Sequence, residues 1–186
     1  MPASTPVYGI TYPCGGDTID SSVFATFAES MDAALVQGAA EMAQVANKPN
    51  AQAVALGFPQ LVTLNTVTTM TYNTEVYDND NMIDLAVNND RLTIQTSGAY
   101  LVWAMFATGS ATTMTSMTVI LTVNGTERGR YKDRPRSGVN FGQVEFTMPI
   151  NLVAGDIVRA QALWTGSGGP SSFSSRILSA SYLAAP

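Results

Sequence analysis

Apolar residues in the first quarter of the chain recur with a heptad period. They fall at alternating steps of four and three residues, at Phe24, Ala28, Met31, Leu35, Gly38, Met42 and Val45. A period of about 3.5 residues keeps one stripe of a helix turned toward a partner helix. Asp20 or Ser21 can cap this helix at its start, and Pro49 follows its end. We therefore predict an amphipathic helix at residues 20–47.

The composition of this stripe indicates how the helix is used. Ala and Gly allow close approach of a second helix but bury little apolar area. We expect Phe24, Met31 and Leu35 to lie in an oligomer interface that also needs the rest of the chain. The alternative is a helix that packs on its own domain.

From Leu61 onward the pattern changes to alternation with a period of two. Segments rich in Val, Ile, Thr and aromatic residues are bounded by turn residues, as β-strands are. Asn124-Gly125 is a hairpin signal, because both residues tolerate the positive φ of a type I′ turn. With Thr126 it is also formally a glycosylation sequon, but the turn is the preferred interpretation. The pattern predicts a mainly β fold, with an antiparallel β-sandwich (jelly roll) at residues 61–186.

Two segments follow neither period. Residues 1–19 are rich in Pro, Gly and Tyr, which is typical of an extended peptide; we expect it to dock on a neighbour, the alternative being a mobile terminus. Residues 48–60 contain the breakers Pro49, Gly57 and Pro59 and are predicted to form a linker.

Composition excludes several classes of function. Charged residues make up only 12% of the 186 residues, and 9 basic against 14 acidic residues give a net charge of −5, so nucleic-acid binding is not expected. The absence of His removes the usual catalytic triads and imidazole metal ligands. No apolar run is long enough to span a membrane, and the N-terminus lacks the pattern of a signal peptide. We predict no catalytic residue, cofactor, metal or membrane insertion.

One acidic cluster offers ligands of the kind that calcium prefers. Asp78, Asp80 and Asp84 are hard oxygen ligands, but Met82 stands where an EF-hand loop needs a ligand. We expect these acids to shape a turn instead. No two carboxylates are evidently paired for glycoside hydrolysis.

The order of motifs in the β region resembles the complement-type and tumour-necrosis-factor-like jelly roll. The motifs are Val76-Tyr77-Asp78, the polar turn Asn88-Asn89-Asp90, Ser97-Gly98 before the strand at 100–106, the hairpin VILTVNGTERGR, the segment LVAGDIVRAQA and the closing strand SSRILSASYLAA. The resemblance implies a homotrimer.

The N-terminus resembles that of virion proteins from tailed phages of actinobacteria, such as minor tail, tail fibre and head fibre proteins. Tyr8-Gly9 and Tyr12-Pro13 stand before Gly15-Gly16-Asp17 at the matching places. The resemblance implies a particle-surface protein, made in the host cytoplasm. It also implies attachment to other virion proteins through Tyr8, Tyr12 and Pro13.

The strand around Trp103 is apolar on both faces. One set of its side chains can fill the sandwich and the other needs cover from a neighbour. We predict that Tyr100, Trp103 and Tyr182 contribute to a trimer interface. The alternative is a monomer whose helix covers that face.

Five of the nine basic residues occur at every second position of one segment. They are Arg128, Arg130, Lys132, Arg134 and Arg136. In a strand they would project from one side, which favours contact with an anionic partner such as a cell-wall polymer. The alternative is internal pairing with Glu127 and Asp133. Phe173, in the Gly- and Ser-rich segment 166–175, is predicted at an exposed tip that touches host-surface glycan.

These observations predict a non-enzymatic, homotrimeric virion protein with its jelly-roll head displayed outward. Capsid decoration, head fibre, tail fibre and tail tip remain equally open positions in the particle. The alternatives from other classes are a carbohydrate-active enzyme and a secreted lectin-like binding module.

Overall fold

The computed structural model describes most of the chain. The described residues are 3–4, 11–12, 21–46, 48–108, 114–134, 142–167 and 171–185, with the helix side chains described at 26–40. The chain divides into two compact units, Met1–Asn47 and Lys48–Pro186. Within the described part, no helix combines the length and the apolarity needed to cross a membrane.

The first unit contains a two-residue antiparallel ladder and one long helix. Strand β1 (Ala3–Ser4) pairs with β2 (Thr11–Tyr12), and helix α1 spans Ser21–Ala46. The predicted helix is therefore confirmed. Met31 and Leu35, which were predicted to face a partner helix, are 50% and 67% exposed. This leaves the apolar stripe of the helix open to solvent in its described part.

The second unit is an antiparallel β-sandwich, which confirms the predicted fold class. Its strands are β3 (Asn50–Val62), β4 (Thr68–Thr69), β5 (Thr74–Asp78), β6 (Leu92–Thr93), β7 (Gly98–Thr108), β8 (Met114–Val123), β9 (Thr126–Asp133), β10 (Gly142–Leu152), β11 (Ile157–Gly166) and β12 (Ser171–Ala184). Both sheets have five strands. The one with the longer strands, called the larger sheet below, has the order β10-β7-β12-β3-β5. The other has the order β4-β11-β8-β9 with β6 beside β11. Val123 pairs with Thr126 across Asn124 and Gly125, whose φ angles of 51° and 77° confirm the predicted hairpin turn.

The predicted linker at residues 48–60 is wrong, because most of it forms strand β3 between β12 and β5. Ala51, Ala53 and Ala55 alternate into the core and are fully buried. The breakers are tolerated because the pairing of β3 with β12 is irregular between Leu56 and Gln60. Gly57 adopts a φ of 72° there, and β5 pairs no further than Val54, so the missing N–H of Pro59 leaves no gap on that side.

The space between the sheets is filled by aromatic and branched side chains. Tyr100, Phe106, Phe173 and Trp164 are all fully buried. Phe106 meets Phe173 edge to face at 6.4 Å, and Trp164 Nε1 donates a hydrogen bond to the carbonyl of Val62 at 2.7 Å. The core thus joins β3, β7 and β12 of the larger sheet to β11 of the other.

The second unit begins and ends at the same end of its sandwich. Asn50, at the start of β3, pairs with Ser181, near the end of β12. At the opposite end Val62 pairs with Ser171, and Thr108 pairs with Gly142. The C-terminal ends of β3, β7, β9 and β11 therefore lie at the end of the sandwich remote from Lys48.

Candidate functional site

The outer face of the larger sheet carries an apolar stripe. On β7, Tyr100, Val102, Ala104 and Phe106 point into the core, so Leu101, Trp103 and Met105 point away from it. Met105 pairs with Ile177 of β12, which pairs with Val54 of β3, and these three lie side by side on this outer face. Leu101 is 38% exposed and Trp103 is partly exposed. The stripe is the apolar set for which the sequence predicts cover by a neighbour.

The stripe continues toward the edge strand β5. Leu56 is 60% exposed and Tyr77 is 39% exposed. At the other side, Trp103 Nε1 donates to Glu145 Oε2 at 3.3 Å, which places a polar group at the margin. An apolar centre with a polar margin is the usual composition of a protein interface.

Tyr100 and Tyr182 do not lie on this face. Tyr100 is fully buried and donates its hydroxyl to the carbonyl of Thr96 at 2.7 Å, so its predicted place at a trimer interface is wrong. Burial, with lesser effects of Asp80 and Tyr182, raises the pKa of Tyr100 to about 12. Tyr182 is half-buried and packs edge to face on Tyr100 at 5.4 Å. The alternation pattern predicted that both rings lie on strands but not which face of the sheet they occupy.

The basic residues of β9 do not all project from one side. The pairing of β8 with β9 is irregular between Leu121 and Thr122, and this bulge places Arg128 against the gap between the sheets. Arg130 and Lys132 pair with Ile120 and Thr118, which point away from the core. The prediction of a one-sided ladder is therefore wrong for Arg128.

Arg130 is paired with Glu127 of its own strand, which agrees with the alternative of internal pairing. It donates two hydrogen bonds to Glu127; they hold the pKa of Glu127 below its usual value and raise the pKa of Arg130. Lys132 and Arg134 are exposed, and among the described residues neither forms an ion pair. They keep their charge available to a partner.

Arg128 stands at the mouth of a shallow apolar cleft between the sheets. The cleft measures about 180 Å³, including space open to solvent, and is lined by Val102, Leu121, Thr122, Val123, Arg128, Met148, Ile150 and Val158. Next to it, Gly129 lets β9 approach β10 closely. A Cβ at Gly129 would lie 2.9 Å from Phe146 and 3.0 Å from Met148.

Phe173 is not at an exposed tip. It is 1% exposed, in the core position of β12, so this prediction is wrong. Its carbonyl oxygen instead accepts a hydrogen bond from Arg176 Nη1 at 2.6 Å. The Gly- and Ser-rich composition of 166–175 did not reveal that β12 begins at Ser171.

Arg176 is a feature that sequence reasoning missed. It is only 3% exposed, and besides Phe173 it donates to the carbonyls of Thr71 at 2.9 Å and Phe58 at 2.7 Å. Burial lowers the pKa of Arg176, and burial raises the pKa of the neighbouring Tyr72 hydroxyl well above its usual value. The sequence does contain a signal for this burial, because Arg176 lies in the same alternation phase as Leu178 and Ala180, which fill the core.

The three acids of the cluster weakly suggestive of calcium, Asp78, Asp80 and Asp84, all accept hydrogen bonds within the chain. The carboxylate of Asp78 accepts backbone N–H groups of Asp80, Met82 and Ile83 at 2.7–3.2 Å, as expected for a turn. No group of three His, Cys, Asp or Glu that could hold a metal occurs among the described residues.

Asp90 bridges two cations on the other sheet. It accepts from Arg91 Nε at 2.5 Å and from Arg159 Nε at 2.7 Å. Partial burial favours a raised pKa for Asp90, but the hydrogen bonds and charges of the two guanidinium groups outweigh it and hold the pKa below its usual value.

Several predicted site residues lie outside the described part of the chain. Tyr8, Pro13 and Arg136 fall there entirely. Tyr12 is described only as backbone in β2, and Phe24 only as backbone in α1. Their predicted contacts stay predictions.

Comparison with known proteins adds the fold family of the sandwich. No protein-family model and no curated protein matches the sequence. The globular domain of zebrafish complement 1qA protein is similar over 75% of this chain and 100% of its own, with a TM-score of 0.57 and 13% identity. Murine APRIL at pH 5.0 is similar over 72% and 99%, with a TM-score of 0.50 and 14% identity, and Eiger TNF from S. frugiperda over 75% and 96%, with 0.50 and 12%. The second unit therefore has the fold of the C1q and TNF jelly rolls.

Proposed function

We propose that this chain is a non-enzymatic structural protein of a phage particle, in which three copies form a jelly-roll head. The observation that carries the proposal is the apolar stripe of Leu101, Trp103, Met105 and Ile177 on the outer face of the larger sheet. A face of this kind on a stable protein marks an interaction surface. The trimeric state implied by the resemblance to C1q and TNF jelly rolls fits it.

The same arrangement suits attachment through the N-terminal segment. The second unit begins and ends at one end of its sandwich, so attachment through residues before Lys48 leaves the opposite end accessible. The N-terminal motif around Tyr8 and Tyr12 supports a place on the surface of a virion. We propose that this segment docks on another virion protein and that the head is displayed outward.

Contact with an anionic glycan of the host surface is the use we propose for the exposed end. Lys132 and Arg134 lie at the end of β9 that is remote from Lys48, and both are exposed without an ion pair among the described residues. Exposed cations attract polyanions over roughly one Debye length, about 8–10 Å in physiological salt.

Hydrolysis of such a glycan is the competing function, and the acids argue against it. Asp78 is engaged by three backbone N–H groups, and Asp156 accepts from Asn124 and from the backbone of Val153. The cleft beside Arg128 has no acid in its lining. A binding role therefore fits this chain better than glycoside hydrolysis.

Two measurements test the proposal. Sedimentation equilibrium is expected to give three times the chain mass of 19.7 kDa at micromolar concentration, and a monomer would refute the trimer. Antibody labelling of intact particles is expected to decorate their surface. Removal of residues 1–19 is expected to leave a folded trimer that no longer enters particles; unchanged incorporation would refute the docking role.

A further inference from the structure

The hairpin turn between β8 and β9 contains Asn124-Gly125, which is the one Asn-Gly pair of the chain. An Asn side chain before Gly is prone to deamidation, because Gly has no side chain to shield its backbone nitrogen from the amide. Both residues are exposed, so water reaches the turn. Apart from its chain neighbours, no described atom lies within 4 Å of a Cβ placed on Gly125, which leaves open space on this side of the turn.

In the folded chain the side chain of Asn124 is held at both of its polar atoms. Nδ2 donates to Asp156 Oδ1 at 2.7 Å, and Oδ1 accepts from the backbone N–H of Ile157 at 2.9 Å. Asp156 is itself held, because its Oδ2 accepts from the backbone N–H of Val153 at 2.9 Å and its own N–H donates to the Val153 carbonyl at 3.0 Å. The β8–β9 turn, which carries Asn124, is therefore fastened to the β10–β11 turn, which carries Asp156.

We propose that Asn124 is a site of slow, uncatalysed deamidation and that the contact with Asp156 restrains it. In this reaction the backbone nitrogen of Gly125 loses its proton and attacks Cγ of Asn124. The new C–N bond closes a succinimide ring, and Nδ2 takes up that proton and leaves as ammonia. Water then opens the ring at either carbonyl to give aspartate or isoaspartate, so the net change is water consumed and ammonia released. The chemistry occurs within one chain and does not depend on the proposed trimer.

The restraint arises because ring closure turns the Asn124 amide away from Asp156 and Ile157, so both side-chain hydrogen bonds have to break first. Neither product restores the contact. Aspartate has no Nδ2 donor and sets a second carboxylate against Asp156, and isoaspartate also lengthens the main chain within a two-residue turn. Because deamidation is irreversible, the modified fraction increases with the age of the protein.

Mass spectrometry of the peptide that contains Asn124, sampled during incubation in mildly alkaline buffer, measures the rate of deamidation. Asp156→Ala is expected to raise this rate by about tenfold, because a charge-assisted hydrogen bond that opposes opening of the turn is lost. Asp133→Ala is the matched control, because it removes an exposed acid of the same hairpin that accepts from the backbone N–H of Arg134 and not from Asn124. The control is expected to leave the rate unchanged. Equal rates in Asp156→Ala and wild type would overturn the restraint.

If Asp156→Ala does not fold, the wild-type chain decides. Asn124 is expected to react about tenfold faster, or more, in the urea-unfolded chain than in the folded chain, and equal rates would overturn the restraint. An unfolded chain that keeps Asn124 intact would overturn the site itself. The modified chain carries an additional negative charge, so ion exchange separates it from the unmodified chain. Its midpoint of urea unfolding is expected to be lower, and equal midpoints would overturn the loss of the contact.

Discussion

The side chain of Asn124 is hydrogen-bonded to the side chain of Asp156, at the end of the sandwich where the second unit begins. Its Nδ2 donates to Asp156 Oδ1 at 2.7 Å, and its Oδ1 accepts from the backbone N–H of Ile157 at 2.9 Å. The other oxygen of Asp156 accepts from the backbone N–H of Val153 at 2.9 Å. The β8–β9 turn and the β10–β11 turn are thereby held as one structure, and the amide of the sequon is already occupied.

Asn124→Asp is expected to destabilise the fold by about 1–3 kcal/mol, since a second carboxylate then faces Asp156 and the amide donor is lost. The free energy of unfolding in urea measures this. Asn124→Gly is the control, because Gly keeps the positive φ and removes only the side chain. A loss with Asp that does not exceed the loss with Gly would show that repulsion from Asp156 is absent.

Arg176→Met is expected to cost about 3–5 kcal/mol, because three backbone carbonyls lose a buried cationic donor. Urea denaturation of the folded chain measures the loss. The matched substitution Arg134→Met removes an exposed cation and is expected to change stability by about 0.5 kcal/mol or less. Equal effects at the two positions would contradict the structural role of Arg176.

The alternation of apolar and polar residues predicted the sandwich because it depends only on the residues within each strand. It failed at β3, where the breakers Gly57 and Pro59 sit in an irregular stretch. Only the register of β12 reveals that this stretch is accommodated. The same limit applies to Arg176: its phase was readable, but its carbonyl partners come from residues as distant as Phe58.

The candidate site, too, was predictable from the sequence only in part. The sequence identified an apolar strand with two faces, but only the structure shows that Tyr100 fills the core and Trp103 faces outward. Regular alternation along β9 would put all of its basic residues on one side. A single bulge at Arg128 breaks that alternation, and nothing in the sequence of β9 alone specifies it.

Gly129→Ala is expected to destabilise the sandwich by about 1–3 kcal/mol, since the added Cβ would press against Phe146 and Met148. Gly38→Ala in the helix is the control: beyond its chain neighbours and the helix backbone, no described atom lies within 4 Å of the added Cβ, and Ala favours a helix by about 1 kcal/mol over Gly. Thermal unfolding of both variants checks the contrast. A neutral Gly129→Ala would mean that β9 and β10 separate easily.

Acid is expected to weaken the Asp90 bridge. The pKa of Asp90 is lower in the folded chain than in the unfolded chain, so its contribution is fully present above the unfolded value, about 4. It is lost as the pH falls through the lowered folded value. Asp90→Asn is expected to lower stability near neutral pH and to converge with wild type in strong acid. A pH-independent difference would contradict the ionic role of the bridge.

Trp103 provides the most direct test of the proposed interface. Its ring lies on the outer face beside Met105 and Ile177, and only its Nε1 has a polar partner, Glu145. Trp103→Glu is expected to place a carboxylate in the centre of the contact, where an uncompensated charge is costly, and to yield a monomer at micromolar concentration. Because the residue does not reach the core, far-ultraviolet circular dichroism of that monomer is expected to match wild type. Val153→Glu, at an exposed turn residue away from this face, is the control and is expected to leave the trimer intact. If Trp103→Glu remains a trimer, the interface does not lie on this sheet. If the variant loses its structure together with the trimer, Trp103 supports the fold of a single chain.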